Sequence, residues 1–157
     1  MKPNQLDSTD RKILSMLVND ARKPFMEIAR ECGISGAAVH QRVKKMETQG
    51  VIAGSRLIVK PSEVGLDVCA FIGITLSEGN KYPEVIAALK HIPEIVECHF
   101  VTGKAAILTK VYCSDNEHLM RVIISTIQKI PYVQSTDTVI ALSEIFTRQV
   151  SVKEAVE

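Results

Sequence analysis

Few residues of this 157-residue chain are spaced for bond-making chemistry. Its four cysteines, Cys32, Cys69, Cys98 and Cys113, stand 37, 29 and 15 residues apart, with no C-x-x-C pair. Zinc sites bring ligands in close pairs, because one turn must present both to the metal. Cys98 and His99 are adjacent, so in a strand they point to opposite faces. No paired carboxylates stand at a pocket-like spacing, and no Ser/His/Asp or Cys/His set appears beyond that adjacent pair. The expectation is no catalytic residue, no metal, no cofactor and no disulfide. Most of the cysteines should serve as small buried hydrophobes.

The spacing that does carry chemistry runs from Ser35 to Lys45. Val39, Val43 and Met46 form one inward stripe of a helix, leaving His40, Gln41, Arg42, Lys44 and Lys45 outward. A glutamine amide pairs with adenine in a bidentate way. Guanidinium and ammonium groups suit phosphates, which give affinity, whereas base contacts give sequence choice. Ser35, Ala37, Ala38, His40 and Gln41 are therefore the candidates for base edges or nearby phosphates. Arg42, Lys44 and Lys45 are the candidates for phosphates, with Arg56 as a further one. The plainer alternatives are a solvated His40 and a solvated lysine face on a small helical cap.

These residues need elements to position them. Leu6, Ile13, Leu14, Leu17 and Val18 predict a first helix, with Asp7 as N-cap and Asp10 near the positive end of its dipole. Lys23-Pro24 ends it. A second helix runs from about Pro24 to Cys32 and stops at Gly33, which suits a left-handed turn. Ser35 caps the third, which ends at Gly50. Helix, glycine turn and basic helix make a helix-turn-helix pattern. Val51-Ile52-Ala53 and Arg56-Leu57-Ile58-Val59 predict a hairpin wing around Gly54-Ser55. Residues 1–60 carry 11 Lys/Arg against 6 Asp/Glu, a net +5 inside a chain whose total is +1. A basic front on an acidic back suggests two modules, the first with a polyanionic partner.

Residues 61–66 read as the linker and 67–157 as the second module. Val68–Leu76, Ile95–Val101, Ala106–Cys113 and a last strand within Tyr132–Phe146 alternate with helices at about 82–91 and after Asp115. The pattern is βαββαβ, a ferredoxin-like α+β sandwich with two helices on one face of an antiparallel sheet. In the first strand Val68, Ala70, Ile72, Ile74 and Leu76 line one side, yet Cys69, Phe71, Gly73 and Thr75 on the other are also largely apolar. A sheet apolar on both faces needs a second cover, and a second copy of itself predicts a homodimer. No stretch approaches the ~20 apolar residues of a membrane span. The first residues lack the apolar core of a secretory signal, which predicts a cytoplasmic protein without a membrane partner.

Several segments together resemble the Lrp/AsnC family of transcription regulators, over about residues 5–150. They are Leu6-Asp7-x-x-Asp10-Arg11-Lys12-Ile13-Leu14, Glu27-Ile28-Ala29, Gly33-Ile34-Ser35 and Val39-x-x-Arg42-Val43-x-x-Met46-Glu47-x-x-Gly50-Val51-Ile52. Further on they are Glu97-Cys98-His99-x-Val101-Thr102-Gly103 and Thr136-x-Thr138-Val139-Ile140. The resemblance implies a winged helix-turn-helix that binds double-stranded DNA, joined to a ligand-sensing βαββαβ domain. It implies dimers, often octamers, with amino-acid effectors held between subunits. By the same resemblance Thr102, Gly103, Lys104, Ala105, Thr136 and Thr138 are the effector candidates. One departure stands out. The family's Asp-aromatic-Asp-aromatic run after Val-Thr-Gly is here Lys104-Ala105-Ala106-Ile107. Two other readings therefore stay open: an architectural DNA-wrapping protein without effector, and, more remotely, a small enzyme on the βαββαβ half.

Overall fold

The computed structural model describes residues 6–152. Its residues fall into two compact units, which differ from the expected division at the back end. One runs through Leu57 and takes in the segment from Phe146 onward; the other is Ile58–Ile145. Residues 1–5 and 153–157, the outer ends of the two expected modules, lie outside the described residues.

The first unit holds three helices, α1 (Ser8–Asn19), α2 (Phe25–Cys32) and α3 (Gly36–Thr48). Asp7 caps α1, accepting from the Asp10 N–H while the Asp10 carboxylate accepts from the Asp7 N–H, a reciprocal capping box. Ile13, Ile28, Val39, Met46 and Ala29 form the core between the helices, and Val152 packs against it. Both glycine stops act as expected. Gly33 (φ +66°) and Gly50 (φ +72°) each sit just past a helix. Ile34 N–H donates to Ala29 C=O and Val51 N–H to Met46 C=O, the long closing bond of a Schellman turn.

The wing does not form. Residues 53–60 form no strand or helix among the described residues. Val51 and Ile52 are taken by the α3 terminus: both backbone N–H groups bond to Met46 C=O, and both side chains pack on the helical core. That diverts half of the expected hairpin, and a lone two-stranded hairpin has little stability of its own. The expected linker is also partly ordered, with Pro61–Val64 forming a 3-10 turn.

The second unit is βαββαβ: β1 (Val68–Leu76), α4 (Tyr82–Leu89), β2 (Ile95–Phe100), β3 (Ile107–Cys113), α5 (Asn116–Arg121) and β4 (Val133–Ala141). The sheet is antiparallel throughout, in the order β2-β3-β1-β4. Asp115 caps α5 through a 2.7 Å bond from the His118 N–H. The helix then continues as a π segment, Val122–Thr126. Val122 and Ile127 are both buried, five residues apart, a spacing that the wider π turn places on one side.

Ala70, Ile72 and Ile74 of β1 and Ile107, Thr109, Val111 and Cys113 of β3 are fully buried under the helices. Thr109 donates its hydroxyl proton to Ile72 C=O at 3.3 Å, so even the polar member is satisfied. Across the sheet, Cys69, Phe71 and Gly73 of β1 share the other face with Leu108, Lys110 and Tyr112 of β3 and Asp137, Val139 and Ala141 of β4. Phe71 is 36 % and Val139 62 % exposed there. The uncovered face is thus apolar over Cys69, Phe71, Leu108, Val139 and Ala141, with Lys110 and Asp137 set among them, and the helices cover only the other side. Of the cysteines, Cys113 is buried, Cys32 and Cys69 are half-buried, and Cys98 is exposed.

Candidate nucleic-acid interface and effector loop

Two hydrogen-bonded ends aim α3. Ser35 Oγ accepts from the Ala38 N–H at 3.2 Å at its start, and the Gly50 turn closes its end. Val39, Val43 and Met46 are buried, so Ala37, Gln41, Lys44 and Lys45 form the outward stripe. Ser35 and His40 are exposed beside it, and Ala38 is half-buried. A Cβ added at Gly36 would lie 2.8 Å from Met26 Sδ, so α2 passes close to the start of α3. The His40 ring is not simply solvated. It packs edge-on against Phe25 of α2, centroids 6.0 Å apart, which holds the imidazole in one orientation.

The cations divide. Lys44 is 72 % exposed, with the Glu47 carboxylate 4.0 Å away, and Lys45 is exposed. Arg56 is exposed on a segment without helix or strand rather than on a wing. Arg42 is engaged within the unit. Its Nη1 donates to Asp7 Oδ2 at 2.6 Å and to Asp10 Oδ1 at 2.7 Å, which ties α3 to the start of α1. The Arg42 hydrogen bond is the main cause that holds the Asp7 carboxyl below its ordinary range, and the two carboxylates push the Arg42 guanidinium upward. The sequence pattern placed Asp7 and Asp10 at the α1 start but did not disclose this partner. The available signal was Asp10 itself, which is 3 % exposed. It lies one turn before Ile13 on the apolar stripe, and a carboxylate buried there needs a cation.

The loop after β2 lies against the uncovered face of the sheet. Val101 N–H donates to Ala106 C=O at 2.9 Å and Ala106 N–H to Ile74 C=O at 3.0 Å. A Cβ added at Gly73 would come within 3.2 Å of Ala105 Cβ, so the missing side chain gives the loop its room. Gly103 has φ +125°, and Thr102, Gly103 and Lys104 are exposed. Thr136 and Thr138 are not gathered with this loop. They pair with Ile74 and Ile72 and so point to the helix-covered face, where Gln128 Nε2 donates to Thr136 Oγ1 at 2.8 Å. Asp137, opposite Gly73, is the β4 residue on the side of Ala105. Strand alternation separates it from the threonines.

Cys98 and His99 point to opposite faces, paired with Thr109 and Leu108. A polar trio gathers instead at α5: His118 Nε2 is 3.1 Å from Glu94, and its Nδ1 is 3.3 Å from Ser114 Oγ. The Ser114 hydroxyl donates to Asp115 Oδ2 at 3.0 Å, and Nδ1 also accepts from the Ser114 N–H. The serine proton is thus committed to a carboxylate, and the trio is part of the helix cap rather than an activated nucleophile.

Comparison with known proteins agrees with this geometry. An AsnC-type helix-turn-helix domain matches residues 6–47, and an Lrp/AsnC ligand binding domain matches 69–151. The chain is 39 % identical to the regulatory protein AsnC of Escherichia coli K12 over 145 residues, 92 % of this chain and 95 % of that one. The solved structure of E. coli AsnC has a TM-score of 0.87, covering 92 % of this chain and 97 % of its own. A feast or famine regulatory protein from M. tuberculosis, solved in complex with L-methionine, has a TM-score of 0.88 at 28 % identity, covering 94 % and 99 %. These relatives are transcriptional regulators, and the chain, with its helix-turn-helix unit and its four-stranded α+β unit, belongs to the Lrp/AsnC family of DNA-binding transcriptional regulators.

Proposed function

We propose that this protein binds double-stranded DNA in the cytoplasm as a dimer or a larger assembly of dimers, such as an octamer, and that an amino acid or related small effector modulates it. The observation that carries the DNA reading is the outward stripe Ala37–Gln41–Lys44–Lys45 on a helix whose opposite side is locked in a core. The start of α3, with Ser35, Ala37, Ala38, His40 and Gln41, enters the major groove, Gln41 facing an adenine. Lys44, Lys45 and Arg56 hold phosphates. The uncovered sheet face with Phe71 and Val139 is the dimer contact, so two copies of α3 read half-sites one or more helical turns apart. Selection from a random duplex pool tests this reading. Enrichment of a two-fold symmetric site supports it, and binding without any sequence preference refutes it.

The effector site is the loop Thr102-Gly103-Lys104-Ala105 at the uncovered face. That the effector is an amino acid is supported by the mycobacterial relative solved in complex with L-methionine. Asp137 supplies a carboxylate on that face to accept from an amino group, in place of the loop acids that are absent here. An effector acts by binding one assembly state better than another. The architectural reading rests on one observation, Lys104-Ala105-Ala106 where the family carries acids. A thermal-shift screen with the twenty amino acids separates the two. A ligand at about 100 times its dissociation constant adds about 2.7 kcal/mol, and silence from all twenty favours the architectural role.

A further inference from the structure

Arg42 is in the middle of α3, next to Gln41 in sequence and so about a quarter-turn away around the helix. It is the cation of that helix with a doubly built anchor. Asp10, on α1, is 3 % exposed, and its Oδ1 accepts from Arg42 Nη1 at 2.7 Å. Asp7 Oδ2 accepts from the same Nη1 at 2.6 Å, while Asp7 Oδ1 accepts from the Asp10 N–H at 2.7 Å. The capping box thus also holds both carboxylates, through bonds that do not involve the guanidinium. If Arg42 turned to a DNA phosphate, Asp10 would be left buried without a counter-ion, which is strongly unfavourable.

The apolar side chains of α3 fix how close it lies to α1 and α2, but aliphatic contacts are not directional. A guanidinium shared by two fixed carboxylates is. It sets the rotation of α3 about its own axis. At the ~6 Å outer radius of a helix, a rotation of about 10° moves an atom about 1 Å. That shift takes a hydrogen-bonding pair out of the 2.7–3.2 Å window.

On the reading that α3 is the DNA-recognition helix, we propose that Arg42 is a positioning residue. Held by Asp10 and Asp7, it fixes the aim of Gln41 and His40 at base edges and neutralises no phosphate. The charged groups facing one another here are Asp7, Asp10 and Arg42, and all three are spent on the lock.

The test uses the full chain and two duplexes, one selected by the wild-type protein from a random pool and one of random sequence and equal length. The double variant Arg42→Gln/Asp10→Asn removes cation and anion together, keeping net charge and leaving no buried orphan. The expected result is an unchanged slope of log K against log salt on both duplexes, with the selected-to-random affinity ratio at least tenfold lower. Arg42→Lys keeps a cation near Asp10, but its nitrogen sits one bond closer to the backbone and does not reach the place where Nη1 bonds both carboxylates, and the same fall in ratio is expected of it. Thermal melts matched to wild type show that each variant is folded, and Arg42→Lys carries the test if the neutral pair is not. A slope lower by about 0.9, the signature of one phosphate partner removed, overturns the proposal. So does an unchanged ratio in a folded variant, or full rescue by lysine. If the wild-type chain selects no duplex at all, the DNA-recognition reading itself fails instead.

Discussion

Replacing Lys44 and Lys45 together by alanine isolates the electrostatic part of DNA binding, because little else depends on them. Lys44 is 72 % exposed and 4.0 Å from Glu47, an exposed pair worth no more than about 1 kcal/mol. Lys45 is exposed too, and alanine is the best helix former, so the fold is expected to melt within a few degrees of wild type. Removing one cation from a phosphate lowers the slope of log K against log salt by about 0.9, so removing two lowers it by about 1.8. Over a fourfold rise in salt, from about 50 to about 200 mM, the affinity of the variant should then fall by a factor about ten times smaller than that of wild type. Binding to selected and random duplexes should weaken by the same factor, since phosphates carry no sequence information. Fluorescence anisotropy titrations on both duplexes at four salt concentrations give the slopes. A double variant that keeps the full slope shows that α3 does not face the backbone with this stripe. A variant weakened on the selected duplex alone shows that the lysines read bases.

Three further outcomes test other parts of the structure. Because the Arg42 bond depresses the folded-state Asp7 carboxyl below its ordinary value, its stabilisation is present above about pH 4 and is lost as pH falls through the lower folded value. Thermal melts of wild type and Asp7→Asn, which keeps a capping side chain, should differ at pH 7 and draw together as pH falls below about 4; a gap that does not narrow in acid contradicts the ion pair. Val139→Glu places a carboxylate on the uncovered sheet face opposite Phe71 and should give monomers by analytical ultracentrifugation. An unchanged oligomer would show that this face is not the contact. Calorimetry with the twenty amino acids should find any heat reduced by Asp137→Asn and increased by Lys104→Ala. Binding below about 10 µM that is indifferent to both substitutions would place the effector elsewhere.

What the sequence disclosed and what it hid follow from one physical distinction. Elements whose cause is local were legible. The Asp7 and Ser35 caps, the left-handed Gly33 and Gly50 turns, and the two-sided apolar alternation of β1 are each set by a few neighbouring residues, and the structure contains all of them. The wing was misread because Val51 and Ile52 satisfy a strand pattern and a helix-end pattern equally well. The competition is settled by Met46 C=O, an acceptor in the preceding turn, and by the helical core beneath. The sheet face of the β4 threonines was not legible for a different reason. Thr136 and Thr138 were grouped with the loop by resemblance, while the face of each β4 residue is fixed by register with β1, which places Asp137 opposite Gly73. An arginine beside a glutamine on an exposed helix reads as a phosphate ligand, and the sequence does not show that Arg42 bonds Asp7 and Asp10. Its partner Asp10 is 32 residues away, and no local pattern links them. The burden of proof for a cation in a DNA-binding helix therefore rests on the acids around it. A lysine with an exposed glutamate 4.0 Å away has a weak competitor for a phosphate, whereas Arg42 has two carboxylates within 2.7 Å, one of them the buried Asp10.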